Sequence, residues 1–176
     1  VFTERARKYL GDAEGLKQVQ QVLTAPIRQK AQQASIDNTL SFAKSQGKTS
    51  TVGVFQAEEV TFLQKKGQTI ESPIITVEDR LLIGKKAKRH ENAGDAVSVA
   101  EWQELPILIA NVKTVLYDVR NDSVLYILKS LDENDPKVIK LSLRVQNGVI
   151  EIVSVFKILD GAIEDGLNAT HYELIR

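Results

Sequence analysis

The sequence predicts an α+β domain, with helices first and an antiparallel sheet after them. Three observations carry that reading. Residues 1–46 are polar and rich in Ala and Gln, with apolar side chains recurring at helical spacing. From Thr51 the texture changes to short β-branched and aromatic runs between turn signals. In the last third, Asn121-Asp122 and Asn147-Gly148 separate alternating apolar runs and read as hairpin turns. The predicted architecture is a set of N-terminal helices followed by a meander of about four antiparallel strands packed with two central helices. Residues 1–47 read as a helical segment or connector, and residues 48–176 as the α+β domain.

Along the chain, Asp12 is placed to cap a helix through LKQVQQVL, where Leu16, Val19 and Leu23 recur on one face. Pro26 breaks or restarts it. A second helix follows, with Ile27, Ala31, Ala34, Leu40 and Ala43 as a thin apolar stripe, and Gly47 to Ser50 stop it. TVGVFQ and EVTFLQ both read as β-like, with Lys65-Lys66-Gly67-Gln68 as the turn after them. A short strand spans Ile74 to Val77. A helix then starts near Val77-Glu78-Asp79, whose acids suit a helix N-terminus, and ends at Gly94. Ser98 and Glu101 form a capping box for VAEWQELPILIAN, which Pro106 kinks or ends. VKTVLYDV and SVLYILKSL form one predicted hairpin, KVIKLSLRVQ and VIEIVSVFKIL the other. Residues 160–176 read as a short helix or irregular tail.

Composition narrows the chemistry. Lys plus Arg (23) equals Asp plus Glu (23), so affinity for nucleic acid or an anionic membrane must come from local clustering. The absence of Cys excludes disulfides, thiolate metal sites and Cys nucleophiles, and with only two His, at 90 and 171, no His-rich metal site is predicted. No cofactor is implied. No apolar run reaches the length of a membrane span, so no membrane partner is expected. The chain lacks Met, which reads as a processed product or a piece of something longer. Phosphate-cradling Gly-rich loops, GxSxG, HExxH and EF-hand patterns are absent.

The one local concentration of charge is Lys85, Lys86, Lys88 and Arg89, followed by His90. Positions 86 and 90 are i, i+4 on a helix and share a face, with 89 beside them. One reading is a solvated helix end whose cations favour the dipole. Another is phosphate binding without cleavage. A third is a catalytic cluster.

The stretch from Ile74 through about Leu159 resembles the nuclease-like C-terminal domain of Mu-type phage F-like minor head proteins, a group assigned to the barnase–EndoU–colicin E5/D–RelE superfamily. The resemblance rests on the strand ending in Val77-Glu78-Asp79, the basic helix with Lys88-Arg89, and Gly94 followed by Ala96, Val97 and Ser98. It continues through Glu104-Leu105-Pro106 and Val115-Leu116-Tyr117-Asp118 to Leu125-Tyr126. It implies metal-independent cleavage of nucleic acid, most naturally RNA, by a virion-associated or toxin-like domain. The implied locations are a virion or the bacterial cytoplasm, and the implied partners are RNA with phage virion proteins or an immunity protein.

Such cleavage needs a base for the 2′-hydroxyl, positive charge for the phosphorane and an acid for the leaving oxygen. His90, Lys86 and Arg89 are the predicted catalytic set, since His titrates near neutrality and Lys and Arg supply charge. Lys85 and Lys88 are candidate substrate contacts. Arg144, Ser154 and Lys157 join them because sheet residues can face the active-site cleft in the superfamily resembled. Strand alternation puts Ser154 on the same face as Phe156. Asp118 reads as a turn cap, Trp102 as a core anchor and Glu104 as solvated; His171 has no assigned role. The alternative to a ribonuclease is a domain that keeps the fold without catalysis and serves virion structure or protein interaction.

Overall fold

The computed structural model describes residues 13–176. The predicted cap at Asp12 lies outside them. Helices α1 (Ala13–Leu23) and α2 (Pro26–Leu40) come first, with Pro26 in the first turn of α2, where its missing N–H is no loss. They are followed by β1 (Thr49–Val54), α3 (Ala57–Lys65), β2 (Ile74–Glu78), α4 (Arg80–Ile83), α5 (Lys85–Ala93), α6 (Val99–Gln103) and α7 (Leu105–Ala110). Strands β3 (Thr114–Asp118), β4 (Ser123–Leu128), β5 (Lys137–Gln146) and β6 (Val149–Leu159) come next, then α8 (Asp160–Asn168) and β7 (Tyr172–Leu174).

The α+β class stands, but the sheet is larger than the predicted four-strand meander. It has seven strands in the order β1-β2-β6-β5-β4-β3-β7. The meander β3 to β6 is its antiparallel centre. β2 adds in parallel to β6 through Ile75–Ile150 and Thr76–Glu151, which makes the sheet mixed. β1 extends it beyond β2, and the chain returns at β7 to cover β3. EVTFLQ is helical in α3, a correction to the β reading. Its Val60 and Leu63 face the core three residues apart, and Glu59 Oε2 accepts the Gln56 N–H at 2.6 Å. The predicted helix 77–94 is two helices broken at Gly84, and VAEWQELPILIAN divides at Glu104, ahead of Pro106. Residues 160–176 supply both a helix and a strand.

One face of the sheet carries the main core. Ile75, Ile139, Leu141, Leu143 and Ile150 pack there beneath Leu105, Ile109 and Trp102 of the helical layer. Leu16 and Ile36, from α1 and α2, belong to the same cluster, so the division at residue 47 coincides with no gap in packing. On the opposite face α8 lays Ile163 against Leu116 and Leu125.

The two predicted hairpins form as read. Asn147 (φ +52) and Gly148 (φ +78) both take left-handed backbone, the pattern that favours Asn-Gly, and a Cβ at 148 would also collide with the Glu71 side chain. Asp118 caps the other turn, accepting from Arg120 N–H and Asn121 N–H, each at 3.1 Å.

Candidate functional site: the open edge of β6 and the basic helix beside it

β2 accompanies β6 only as far as Glu151, so the second half of β6 has a free edge. An uncovered edge is a row of unpaired backbone groups. Helix α5 and the turn after it cover this one. Asp95 C=O accepts the Lys157 N–H at 2.7 Å, and the Lys86 ammonium donates to Val153 C=O at 2.8 Å. Val153 is itself exceptional. The register runs Ser142–Ser154 and then Leu143–Ile152, which leaves Val153 as a bulge with no partner on β5. A bulge frees a carbonyl from the ladder and shifts the strand's alternation by one residue. Ile152 and Val155 therefore both point to the core. Ser154 and Phe156 share the opposite face with Arg144 and Lys140, through the Ser142–Ser154 and Lys140–Phe156 pairs.

Helix α5 ends where predicted. Gly94 adopts φ +74, the left-handed C-cap that a side chain would strain. The cap turns Asp95 back onto the helix, where its Oδ1 lies 2.8 Å from His90 Nδ1. The His90 ring stacks almost parallel on Phe156, with centroids 5.2 Å apart and planes 7° apart. Lys140 approaches the Phe156 ring at 5.3 Å, a cation–π contact. His90 Nε2 is buried and has no hydrogen-bond partner.

The predicted residues divide into three groups. Lys86, Arg89 and Arg144 are brought together with Arg80. Burial lowers the proton affinity of Lys86, and the charges of Arg80, Arg89 and Arg144 lower it further; Arg80 is itself paired with Glu78 at 2.8 Å. Lys85, Lys88 and Arg89 are exposed, and Lys88 pairs loosely with Glu91 at 3.5 Å. His90 and Ser154 lie on the same side but differ in availability: the imidazole is clamped, while Ser154 is half-buried. Arg144 is exposed, with Nε donating to Asn121 C=O at 3.2 Å.

Lys157 is not with this group, a correction to its reading as a substrate contact. The bulge turns it to the core side, where its ammonium is 2.9 Å from Glu101 and 2.6 Å from Asp135. Burial alone would lower its proton affinity, but the two carboxylates raise it, so it stays charged. Burial pushes the Glu101 carboxyl up. Hydrogen bonds from Lys157, Ser98 N–H, Leu131 N–H and Ser130 outweigh that and hold it below the ordinary carboxylate range. Asp135 is held low by Lys157 and by Lys137 N–H. The Lys157 clamp ties the start of α6, the β4–β5 loop and β6 together. It was invisible in the sequence because its acids are 56 and 22 residues away from the lysine.

Two further features went unread. A cleft of about 410 Å³ lies on the other side of α5, lined by Leu81, Leu82, Val97, Trp102 and Val155 with His90 at its rim. A polar cleft of about 610 Å³ lies between the β3–β4 and β5–β6 turns and contains Arg120 and Arg144. Among the described residues no cluster of three or more acidic or His side chains is arranged to hold a metal ion. None of their helices is long and apolar enough to cross a membrane. No family model, curated protein or solved structure matches the chain.

Proposed function

We propose that this chain is an RNA-binding domain that engages the phosphodiester backbone on the sheet face beside β6, using Arg80, Lys86, Arg89 and Arg144. The observation that carries the proposal is that Arg89 and Arg144, both exposed and in no ion pair among the described residues, add their charge to the half-buried Lys86 ammonium, beside Arg80, which pairs with Glu78 at 2.8 Å. Uncompensated like charge costs folding energy, and a phosphate chain relieves it by releasing its own counterions. Ser154 adds a hydroxyl on the same face, and the ribose 2′-hydroxyl gives RNA an additional donor and acceptor there. Binding rather than cleavage fits the site better. Lys86 is committed to a strand carbonyl, and the His90 nitrogen that would accept a proton is buried.

The second reading, a metal-independent ribonuclease, is favoured by one contact. Asp95 holds His90 Nδ1 and leaves Nε2 as the base nitrogen, the arrangement a catalytic imidazole uses. The test is a labelled mixed-sequence RNA with chelator present, followed for both anisotropy and length. Wild type is expected to bind and leave the RNA intact, and the double variant Arg89→Ala, Arg144→Ala to bind at least tenfold more weakly. Unchanged affinity in a folded double variant would overturn the proposal. Cleavage that disappears in His90→Ala would establish the ribonuclease reading instead.

A further inference from the structure

The cleft between the two hairpin turns is chemically unlike the rest of the sheet end. It offers about 610 Å³ lined by Arg120, Asn121, Arg144 and Asn147 with Gln68 and Thr69 on the far wall. Two guanidiniums line it, Arg120 from the β3–β4 turn and Arg144 from β5. Neither is ion-paired among the described residues. Arg120 Nη2 lies 2.5 Å from His171 Nε2, a contact that orients the fork. Arg144 spends only Nε, on Asn121 C=O.

Two of the acids beside the cleft are occupied, and a third, Glu151, lies across from Arg144 in the β5–β6 register. Asp122, the carboxylate in its wall, accepts from the Tyr117 hydroxyl and from Gln68 Nε2. Asp118 is filled by the turn it caps, through Arg120 N–H, Asn121 N–H and Asn121 Nδ2. The charge of Arg144 also acts on Lys86, so the cleft and the α5 cluster share the field of one side chain. Paired guanidinium forks with free N–H groups match the geometry of a phosphate.

We propose that this cleft is a second phosphate subsite, in which Arg120 and Arg144 bracket one phosphate group of the nucleic acid that the α5 cluster binds. The inference rests on the RNA-binding reading and gives it a direction: the strand runs from α5 across Arg144 to the turn at Arg120. The phosphate is either an internal phosphodiester or a terminal phosphomonoester.

The experiment compares wild type, Arg120→Ala and Arg89→Ala on two 12-mer RNAs of one sequence, with a 5′-hydroxyl or a 5′-phosphate, across a salt series. Arg120 sits on an exposed turn capped by its backbone N–H, so the substitution leaves the cap in place. Arg120→Ala is expected to weaken binding and to reduce the slope of log K against log salt by about 1, the loss of one phosphate contact. If the effect is confined to the 5′-phosphorylated RNA, the subsite takes a chain end; if it is equal on both, it takes an internal phosphodiester. Unchanged slope and affinity in Arg120→Ala, with Arg89→Ala weakened, would overturn the subsite and leave the RNA-binding reading intact. No effect from either substitution would overturn both.

Discussion

Lys86 and Lys157 show how differently two lysines of similar burial can be used. Each reaches β6 or its surroundings, but Lys157 meets two carboxylates and Lys86 meets a carbonyl and three arginines. Removing one member of a buried ion pair strands the other, at about 3 kcal/mol or more. Lys157→Ala is therefore expected to lower unfolding free energy by about 3 kcal/mol in urea titration, because Glu101 is left nearly inaccessible to water. Lys157→Met, which removes the ammonium and leaves both carboxylates unpaired, also destabilises; pairing it with Glu101→Gln recovers part of the loss. For RNA binding the order is different. Arg89→Ala is expected to cost more affinity than Lys86→Ala, since the Lys86 ammonium already serves Val153 and the Arg89 side chain is exposed. Equal losses in a filter-binding assay would argue that Lys86 leaves the carbonyl to meet phosphate.

At the scale of elements, α5 does two jobs. It closes an exposed strand edge, and it carries the cations. Its boundaries come from local chemistry. Gly84 breaks it from α4, Gly94 caps it in the left-handed region, and the Ser98–Glu101 capping box starts the next helix with bonds of 3.1 and 3.0 Å. Gly94→Ala forces a Cβ into that backbone, and the strain is expected to cost about 1 kcal/mol and to loosen Asp95 from His90 and β6. Amide exchange at Lys157, whose N–H depends on the Asp95 carbonyl, is the direct readout: it should quicken in the variant while exchange at Leu141 does not. Ser98→Ala, a cap loss of similar size, should spare that amide.

At the scale of the molecule, two consequences follow from shared packing and shared charge. Ile36 on α2 is fully buried in the same cluster as Leu141 on β5. Ile36→Ala and Leu141→Ala are therefore each expected to cost about 2–5 kcal/mol with a single unfolding transition. A separate, earlier transition for Ile36→Ala would mean that the N-terminal helices unfold on their own. The pH dependence is set by three depressed carboxyls acting against one, Glu59, whose burial pushes its carboxyl up. Glu101 and Asp135 have folded-state proton affinities below their ordinary values, as does Asp79, which Ser45 and Gln46 N–H hold against the opposing effect of burial. A depressed carboxyl contributes stability above its unfolded pKa and loses it as pH falls through the folded one. Thermal stability should thus fall steeply below about pH 4, where such groups begin to protonate. A flat profile from pH 5 to 3 would contradict the clamp.

The sequence by itself determined what depends on neighbours a few residues away. Helix starts and stops at Pro26, Gly94 and Ser98, the turn cap at Asp118, the Asn147-Gly148 hairpin and the antiparallel centre of the sheet were all legible, because caps, turns and hairpins are local. The α+β class followed from them. The tertiary structure decided what depends on distant partners. EVTFLQ is helical because Val60 and Leu63 find the core and Glu59 takes both the local Gln56 N–H and the distant Arg176 guanidinium, whose Nε lies 2.5 Å from Glu59 Oε1, which together override its β-branched residues. The parallel β2–β6 pair and the return of β7 to β3 join segments whose sequences carry no mutual signal. The candidate site divided in the same way. A basic run at 85–90 was visible as a run, but the Val153 bulge decided that Lys157 turns away from it, because one extra residue in a strand exchanges the faces of every side chain after it, while the alternation of β5 puts Arg144 on the same face as Ser154.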